Sequence, residues 1–270
     1  MIRDITLGQF YPAKSPIHAL DPRVKLAATL VYIVMLFLVT GAWGYVFVIA
    51  CLAAVIKASR VPPSFMFRGL KSVLFIILFT MVINMFFTAG GQTLFALGPV
   101  RLTSVGLITA VKMVTRLILL ISGTSVLTLT TSPIQLTDGI EFALKPFKRF
   151  GVPSHEIAMM MTIALRFVPT LLEETDKIMK AQMARGADFE TGSLVKRAKS
   201  LIPLLVPLFV SAFRRADELA MAMEARCYRG DVNRTRMKQM TLERRDFLAV
   251  GVIALFIAGI CAIEFVQLRM

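Results

Sequence analysis

Histidine and cysteine are nearly missing from this 270-residue chain, which holds only His18, His155, Cys51, Cys227 and Cys261. The cysteines are far apart and fit no zinc or redox spacing, and two distant histidines do not make a metal centre. Acid is scarce too: 17 Asp and Glu stand against 31 Lys and Arg, a formal net charge of +14. There is no Gly-rich loop closing on Lys-Ser/Thr, so the chain carries no phosphate cradle of its own for a nucleotide. The first 23 residues are polar and lack the short apolar core and small-residue cleavage site of a secretory signal. The first apolar segment is therefore expected to be retained. What the chain has in excess is apolar surface. Apolar residues make up 56% before Gly is counted, and mean hydropathy is +0.71, whereas soluble domains sit at roughly 45–50% with Gly included. High hydropathy and high positive charge together exclude disorder, a secreted disulfide scaffold and an ordinary cytosolic enzyme. They leave a polytopic membrane protein with a charged part outside the lipid.

Basic chains often bind nucleic acid, but such a footprint needs Lys and Arg clustered on a soluble face with aromatics between them. Here residues 1–132 hold 11 Lys/Arg and 2 acids, and those charges flank apolar runs. Cations so placed fix membrane topology. No nucleic-acid partner is expected.

Residues 26–56 contain no charge. As one helix they would measure about 46 Å at ~1.5 Å per residue, too long for a ~30 Å hydrocarbon core. Gly41-Ala42-Trp43-Gly44 breaks the run, so two short spans are predicted at about 24–41 and 43–57. A third is predicted at about 70–88, followed by an outer loop over 89–102. A fourth runs from about 103 to 129 and a fifth from 247 to 263. With a turn at 41–44, Arg3, Lys14, Arg23 and Lys25 share one side of the membrane with Lys57, Arg60, Arg68 and Lys71. The loops on the other side hold Arg101 alone. Eight cations against one predicts a cytoplasmic amino terminus. Lys112 and Arg116 lie i, i+4 on one face of the fourth span and must avoid lipid. A polar contact with neighbouring helices is favoured over an ion path, and packing between helices likewise for the Ser/Thr cluster 122–132.

The fold class read from these patterns is an all-α polytopic membrane protein, with about five transmembrane helices plus long cytoplasmic coupling helices. Its parts are residues 1–132, an amino-terminal segment with four spans; 133–246, a cytoplasmic module; and 247–270, a carboxyl-terminal span. Within 133–246, a short amphipathic helix begins at Pro133 and ends near Gly151. A long helix then starts at Pro153-Ser154, with Ser154 as N-cap and Glu156 near the positive end of the dipole. It should bend at Pro169 and stop at left-handed Gly186. A second long helix is predicted from near Ser193, through Pro203 and Pro207, to about Cys227. Each starts apolar and turns charged midway.

The two helix ends repeat one frame. Asp176-x4-Ala181-x2-Ala184-Arg185 matches Asp217-x4-Ala222-x2-Ala225-Arg226 position for position. Alanines leave a narrow face beside an Arg in the final turn, and a guanidinium fits a carboxylate through two parallel hydrogen bonds. One Arg near a helix carboxyl end needs no explanation beyond the dipole. The same frame twice points to a paired docking device. Methionines at 159–161, 179, 183, 221 and 223 suit either a surface that repacks or ordinary core.

Ala184-Arg185-Gly186 and Ala225-Arg226-Cys227, each closing a long helix, resemble the two Ala-Arg-Gly signatures of the transmembrane T component (the EcfT/CbiQ-like scaffold) of energy-coupling-factor transporters, the shared-module type most of all. Ser15-Pro16-Ile17-His18-Ala19-Leu20-Asp21-Pro22-Arg23, Leu127-Thr128-Leu129-Thr130-Thr131-Ser132-Pro133, Leu165-Arg166-Phe167-Val168-Pro169-Thr170 and Pro203-Leu204-Leu205-Val206-Pro207 resemble further stretches of that family. Nearly the whole chain is covered. Cys227 stands where the family usually has Gly, so the left-handed stop is expected to pass to Gly230.

The resemblance implies a non-catalytic scaffold in the plasma membrane of a prokaryote, multi-pass, within an ABC-type importer. It implies two ATPase subunits as partners, with ATP and Mg bound on them and no cofactor on this chain. It implies a separate substrate-binding membrane S component and uptake of a vitamin or trace metal. The ATPase-docking positions would be Ala184, Arg185, Gly186, Ala225, Arg226 and Cys227, supported by Asp176, Ala181, Asp217 and Ala222. Two rivals predict other features. A polytopic membrane enzyme needs converging carboxylates or His clusters, and a self-sufficient secondary transporter needs inverted repeats with broken helices. Neither pattern is found in the sequence. Near the amino terminus, Asp21-Pro22 suits an N-cap with Pro at N1, and His18 reads as a local hydrogen-bonding group.

Overall fold

A computed structural model describes residues 10–88, 90, 92–97, 100–189, 193, 195, 199–230 and 240–269. The chain divides into two compact units, residues 10–139 with 240–269, and residues 140–230.

The larger unit is a helical bundle. Its helices are α1 (Pro22–Leu38), α2 (Ala42–Ser59), α3 (Pro63–Phe87), α4 (Ser104–Thr130) and the chain's last helix, Arg244–Arg269. As predicted, Asp21 caps α1 by accepting the Arg23 N–H at 2.8 Å, with Pro22 at the first helical position. α1 ends at Leu38 and α2 begins at Ala42 across the turn read from Gly41 and Gly44. Gly41 has a packing reason: a Cβ there would sit 1.4 Å from the Gln267 side chain. α3 and α4 pack most extensively, α4 also meets α1 and α2, and the last helix packs on α1 and α2. Leu36, Val39, Val48, Leu129 and Ile260 are almost fully buried where these helices meet.

Two polar layers close the ends of this core. At one end the Lys25 ammonium, itself buried, donates to the carbonyls of His18 at 3.2 Å and Thr130 at 2.9 Å. At the other, Lys112 donates to the Thr40 carbonyl at 2.9 Å and Arg116 to that of Val39 at 2.8 Å. The Glu264 carboxylate accepts from Thr40 N–H, Thr40 Oγ1 and Gly41 N–H at 3.0, 2.6 and 3.1 Å. The cations thus satisfy carbonyls left over where α1 ends, and the anion satisfies donors where α2 begins. This is the polar contact between helices predicted for Lys112 and Arg116.

Two expectations change here, and one holds. Residues 93–103 are not a plain loop but an antiparallel hairpin of β1 (Thr93–Leu97) and β2 (Val100–Thr103). It pairs backbone groups that would otherwise lie open between α3 and α4. The Ser/Thr cluster packs between helices as expected, with Ser122, Thr130 and Thr131 buried, while most of its hydroxyls bond within α4. Thr124, Ser125, Thr128 and Thr130 each donate back to the carbonyl four residues earlier. The helices long and apolar enough to cross a membrane among the described residues are also five, but not the same five: they include Ser154–Ala184 and omit α1. α1 stops at 17 residues because the Thr40–Gly41 turn comes early, while the apolar first half of Ser154–Ala184 reaches spanning composition.

The smaller unit begins within α5 (Pro133–Leu144), continues through a 3-10 segment (Lys145–Phe150), and is built mainly from α6 (Ser154–Ala184) and α7 (Ile202–Ala225). α5 starts in a reciprocal cap. Ser132 Oγ accepts from the Gln135 N–H at 3.4 Å, and Gln135 Oε1 from the Ser132 N–H at 3.3 Å. The remaining helix, Arg244–Arg269, is α8. One predicted start moves. Pro153, not Ser154, is the N-cap of α6, with no side-chain capping bond, and Ser154 is the first helical residue. The stretch predicted to begin near Ser193 is helical at the described residues 195, 199 and 200, turns at Leu201 and continues as α7 from Ile202; 194 and 196–198 lie outside the described residues. Pro203, whose missing N–H and ring suit a first turn and obstruct an interior, goes with the turn at Leu201. Pro169 and Pro207 lie inside unbroken helices.

Candidate functional site

α6 and α7 end in one geometry. The last helical residues are Ala184 and Ala225, followed by Arg185 (φ −89°, ψ 7°) and Arg226 (φ −91°, ψ 12°). Next come two left-handed residues, Gly186 at φ 86° and Cys227 at φ 56°. The N–H of Ala187 then reaches back to the Gln182 carbonyl, and that of Tyr228 to the Met223 carbonyl, each at 3.0 Å. The N–H groups of Gly186 and Cys227 close onto Met183 and Glu224 at 3.0 and 2.8 Å. Two Schellman caps result, in which a left-handed residue folds the chain back and satisfies terminal carbonyls. The left-handed stop stays at Cys227 instead of passing to Gly230. The two backbone bonds outweigh the ~1–2 kcal/mol that a Cβ costs in this conformation. Gly230 is left-handed as well, at φ 72°.

The tips are bare. Ala181, Ala184, Arg185, Ala222, Ala225 and Arg226 are all exposed, and among the described residues neither guanidinium has a hydrogen bond or ion pair. Met183 and Met221 stand exposed nearby, so these thioethers belong to the surface. Ala181 and Ala222 lie one turn before each Arg on its own side. Asp176 and Asp217 do not join them. Nine residues at ~100° each turn them about 180° from the Arg, roughly 13 Å down the axis. The frame brings Ala, Ala and Arg together and leaves the acid on the opposite side.

One side chain in the helix pair was missed in sequence. Glu174 on α6 accepts from Ser211 and, at 3.1 Å, from Arg215 of α7, whose guanidinium also lies 5.7 Å from the centre of the Phe167 ring. A carboxylate facing Ser and Arg four residues apart is a legible signal only once the two helices are known to pack. Elsewhere in the unit, His155 at the start of α6 sits 3.1 Å from Glu141 of α5. Along α7, Ile202, Leu205, Val206, Phe209, Val210 and Phe213 are exposed, an apolar surface left open among the described residues.

A family model described as "Cobalt transport protein" (CbiQ) matches residues 13–238. The chain belongs to this family. Its relatives include the energy-coupling factor transporter transmembrane proteins of Thermosediminibacter oceani, 57% identical over 94% of this chain and 96% of the relative, and of Clostridium kluyveri, 58% identical over 92% and 93%. That of Ruminiclostridium cellulolyticum is 52% identical over 98% and 99%. The resemblance read from the Ala-Arg-Gly frames is thereby established, and the chain is a transmembrane component of the energy-coupling-factor type. Both helix tips fall inside the matched residues.

Proposed function

We propose that this chain is the scaffold and coupling subunit of an energy-coupling-factor importer. Two ABC-type ATPase subunits each hold one helix tip through Arg185 or Arg226. A separate substrate-binding membrane subunit packs on the apolar scaffold. Closure of the ATPase pair around ATP and Mg pulls on the tips, α6 and α7 carry the motion, and the substrate subunit releases a vitamin or trace metal inside. The chain itself supplies no catalytic group.

The observation behind this reading is the pair of matching caps. Each leaves one uncommitted guanidinium beside two exposed alanines, a shape that enters a groove and meets carboxylates without steric cost. The tips must then lie in the cytoplasm with the ATPases, and the amino terminus with them. The basic end of the larger unit, where Lys14, Lys57, Arg60, Arg68 and Lys71 gather, supports that side.

The test is co-purification of ATPase subunits and substrate uptake for the Arg185→Ala, Arg226→Ala double variant. Loss of both with normal membrane insertion is expected. Normal uptake would end the docking reading. A Cys at position 92 should react with an impermeant thiol reagent from outside, and the reverse result would invert the topology.

A further inference from the structure

We propose that a basic recess in the larger unit binds the phosphate headgroup of an anionic phospholipid. The recess measures about 570 Å³ and is lined by Lys14, Arg60 and Arg245, together with Ser15, His18 and small apolar residues. Its place in the fold is set by three helix ends. Arg60 is the C-cap of α2, Arg245 is the second residue of α8, and residues 14–18 lead into Asp21, the cap of α1. Apolar spans end at the headgroup layer, so this recess opens at the depth of lipid phosphates.

Its chemistry selects an anion. Ser15 Oγ and His18 Nδ1 lie 2.6 Å apart, and His18 Nε2 is 2.9 Å from the Tyr11 carbonyl, so these polar groups are occupied with one another. Three cations from three chain segments remain, and no carboxylate lines the recess. Arg60 is held left-handed at φ 56°, a conformation unfavourable for any residue with a Cβ, and its Nη1 reaches the Lys14 carbonyl at 3.5 Å. The backbone there directs a guanidinium to the rim of the recess. Basic pockets between spans on the cytoplasmic side are suited to anionic headgroups. This inference uses the larger unit alone and does not rest on the coupling reading.

The test titrates the full chain in neutral detergent with phosphatidylglycerol, phosphatidylcholine or inorganic phosphate, with adducts read by native mass spectrometry. Phosphatidylglycerol is expected to be held at least about tenfold more tightly than phosphatidylcholine, a gap of ~1.4 kcal/mol. Lys14→Gln and Arg245→Gln should each narrow that gap, and the triple variant with Arg60→Gly should erase it. Arg60→Gly removes the guanidinium yet suits the left-handed backbone, so this variant keeps the test open if the others fail to fold. Arg68→Gln with Lys71→Gln, cations of the same end outside the recess, should leave the preference intact. An unchanged preference in the triple variant, or equal loss in the Arg68, Lys71 control, would overturn the proposal. So would binding of inorganic phosphate with the same variant dependence and no lipid preference, which would assign a free anion instead.

Discussion

Asp246, near the start of α8, accepts the backbone N–H of Asp21, the cap of α1, at 2.8 Å across 225 residues of sequence. Its second oxygen accepts the Glu243 N–H at 2.8 Å. Both carboxylates are buried, and Lys25 is buried beside them. One side chain therefore fastens α1 to α8 while capping its own helix. Asp246→Ala would leave the buried Asp21 N–H without a partner, a cost of about 1–3 kcal/mol. Asp246→Asn keeps one acceptor oxygen and should lose less. Thermal unfolding of the detergent-solubilised chain should rank wild type above Asn and Asn above Ala. Equal stability of the Ala variant would mean that water replaces the carboxylate at no cost.

This junction also marks what could be read from sequence. The cap at Asp21, the turn at Gly41–Gly44 and the twin Ala-Arg frames are local patterns, and each appears where its residues placed it. The partners that lock them are remote. Gly41 is fixed by the approach of Gln267, the Thr40 turn by Glu264, and α6 against α7 by Glu174 with Arg215. No spacing rule links positions 41 and 267. The misplaced cap of α6 has a different cause. Ser154 looked like a cap by residue type, yet Pro153 holds that place and Ser154 is the first helical residue. The 93–103 hairpin does carry a turn signal, Gly98-Pro99 between two apolar runs, which the reading of this stretch as an outer loop passes over.

Cys227 holds a left-handed conformation that Gly adopts without steric cost, so its substitutions should be asymmetric. Cys227→Gly removes a strain of ~1–2 kcal/mol but adds unfolded-state freedom of about 0.5–1 kcal/mol. The net expectation is a gain of between zero and about 1.5 kcal/mol, with ATPase co-purification unchanged. Cys227→Val puts a β-branched residue at φ > 0 and should fray the α7 tip. Its thermal unfolding temperature and ATPase co-purification should fall together. A Val variant matching wild type in both would show that the cap geometry at this tip is dispensable.

Glu174 and Arg215 should not be equivalent. Removing Arg215 leaves Glu174 its Ser211 partner, whereas removing Glu174 strands a guanidinium whose Nη1 is already buried without a hydrogen bond. Both side chains are about a quarter exposed, so water screens the pair and the whole effect stays near 1–2 kcal/mol. Glu174→Ala should destabilise the chain more than Arg215→Ala, and both should lower uptake with the ATPases still attached. Uptake matters because the pair joins α6 to α7 far from the tips. Loss of ATPase co-purification in either variant would show that the clasp shapes the tips themselves.

Arg185 and Arg226 offer the sharpest separation between docking and capping. A helix-end cation helps its own helix through the dipole by ~0.3–1 kcal/mol, and Lys does this as well as Arg. A guanidinium buried against a carboxylate does more. Truncating one at an interface costs ~2–5 kcal/mol, part of it the charge left unpaired on the partner. That corresponds to roughly 30- to several-thousand-fold in affinity. Lys cannot reproduce the planar fork, so Arg185→Lys and Arg226→Lys should insert and unfold like wild type yet show weakened ATPase association and uptake. The exposed Ala184 and Ala225 give an independent reading: Ala→Leu there fits the helix well but widens the narrow face, and it should block docking with both arginines intact. If the Lys variants and the Leu variants all retain wild-type co-purification, the tips are capped ends and nothing more. If Lys is tolerated while Leu is not, shape governs docking and the bidentate contact is excluded.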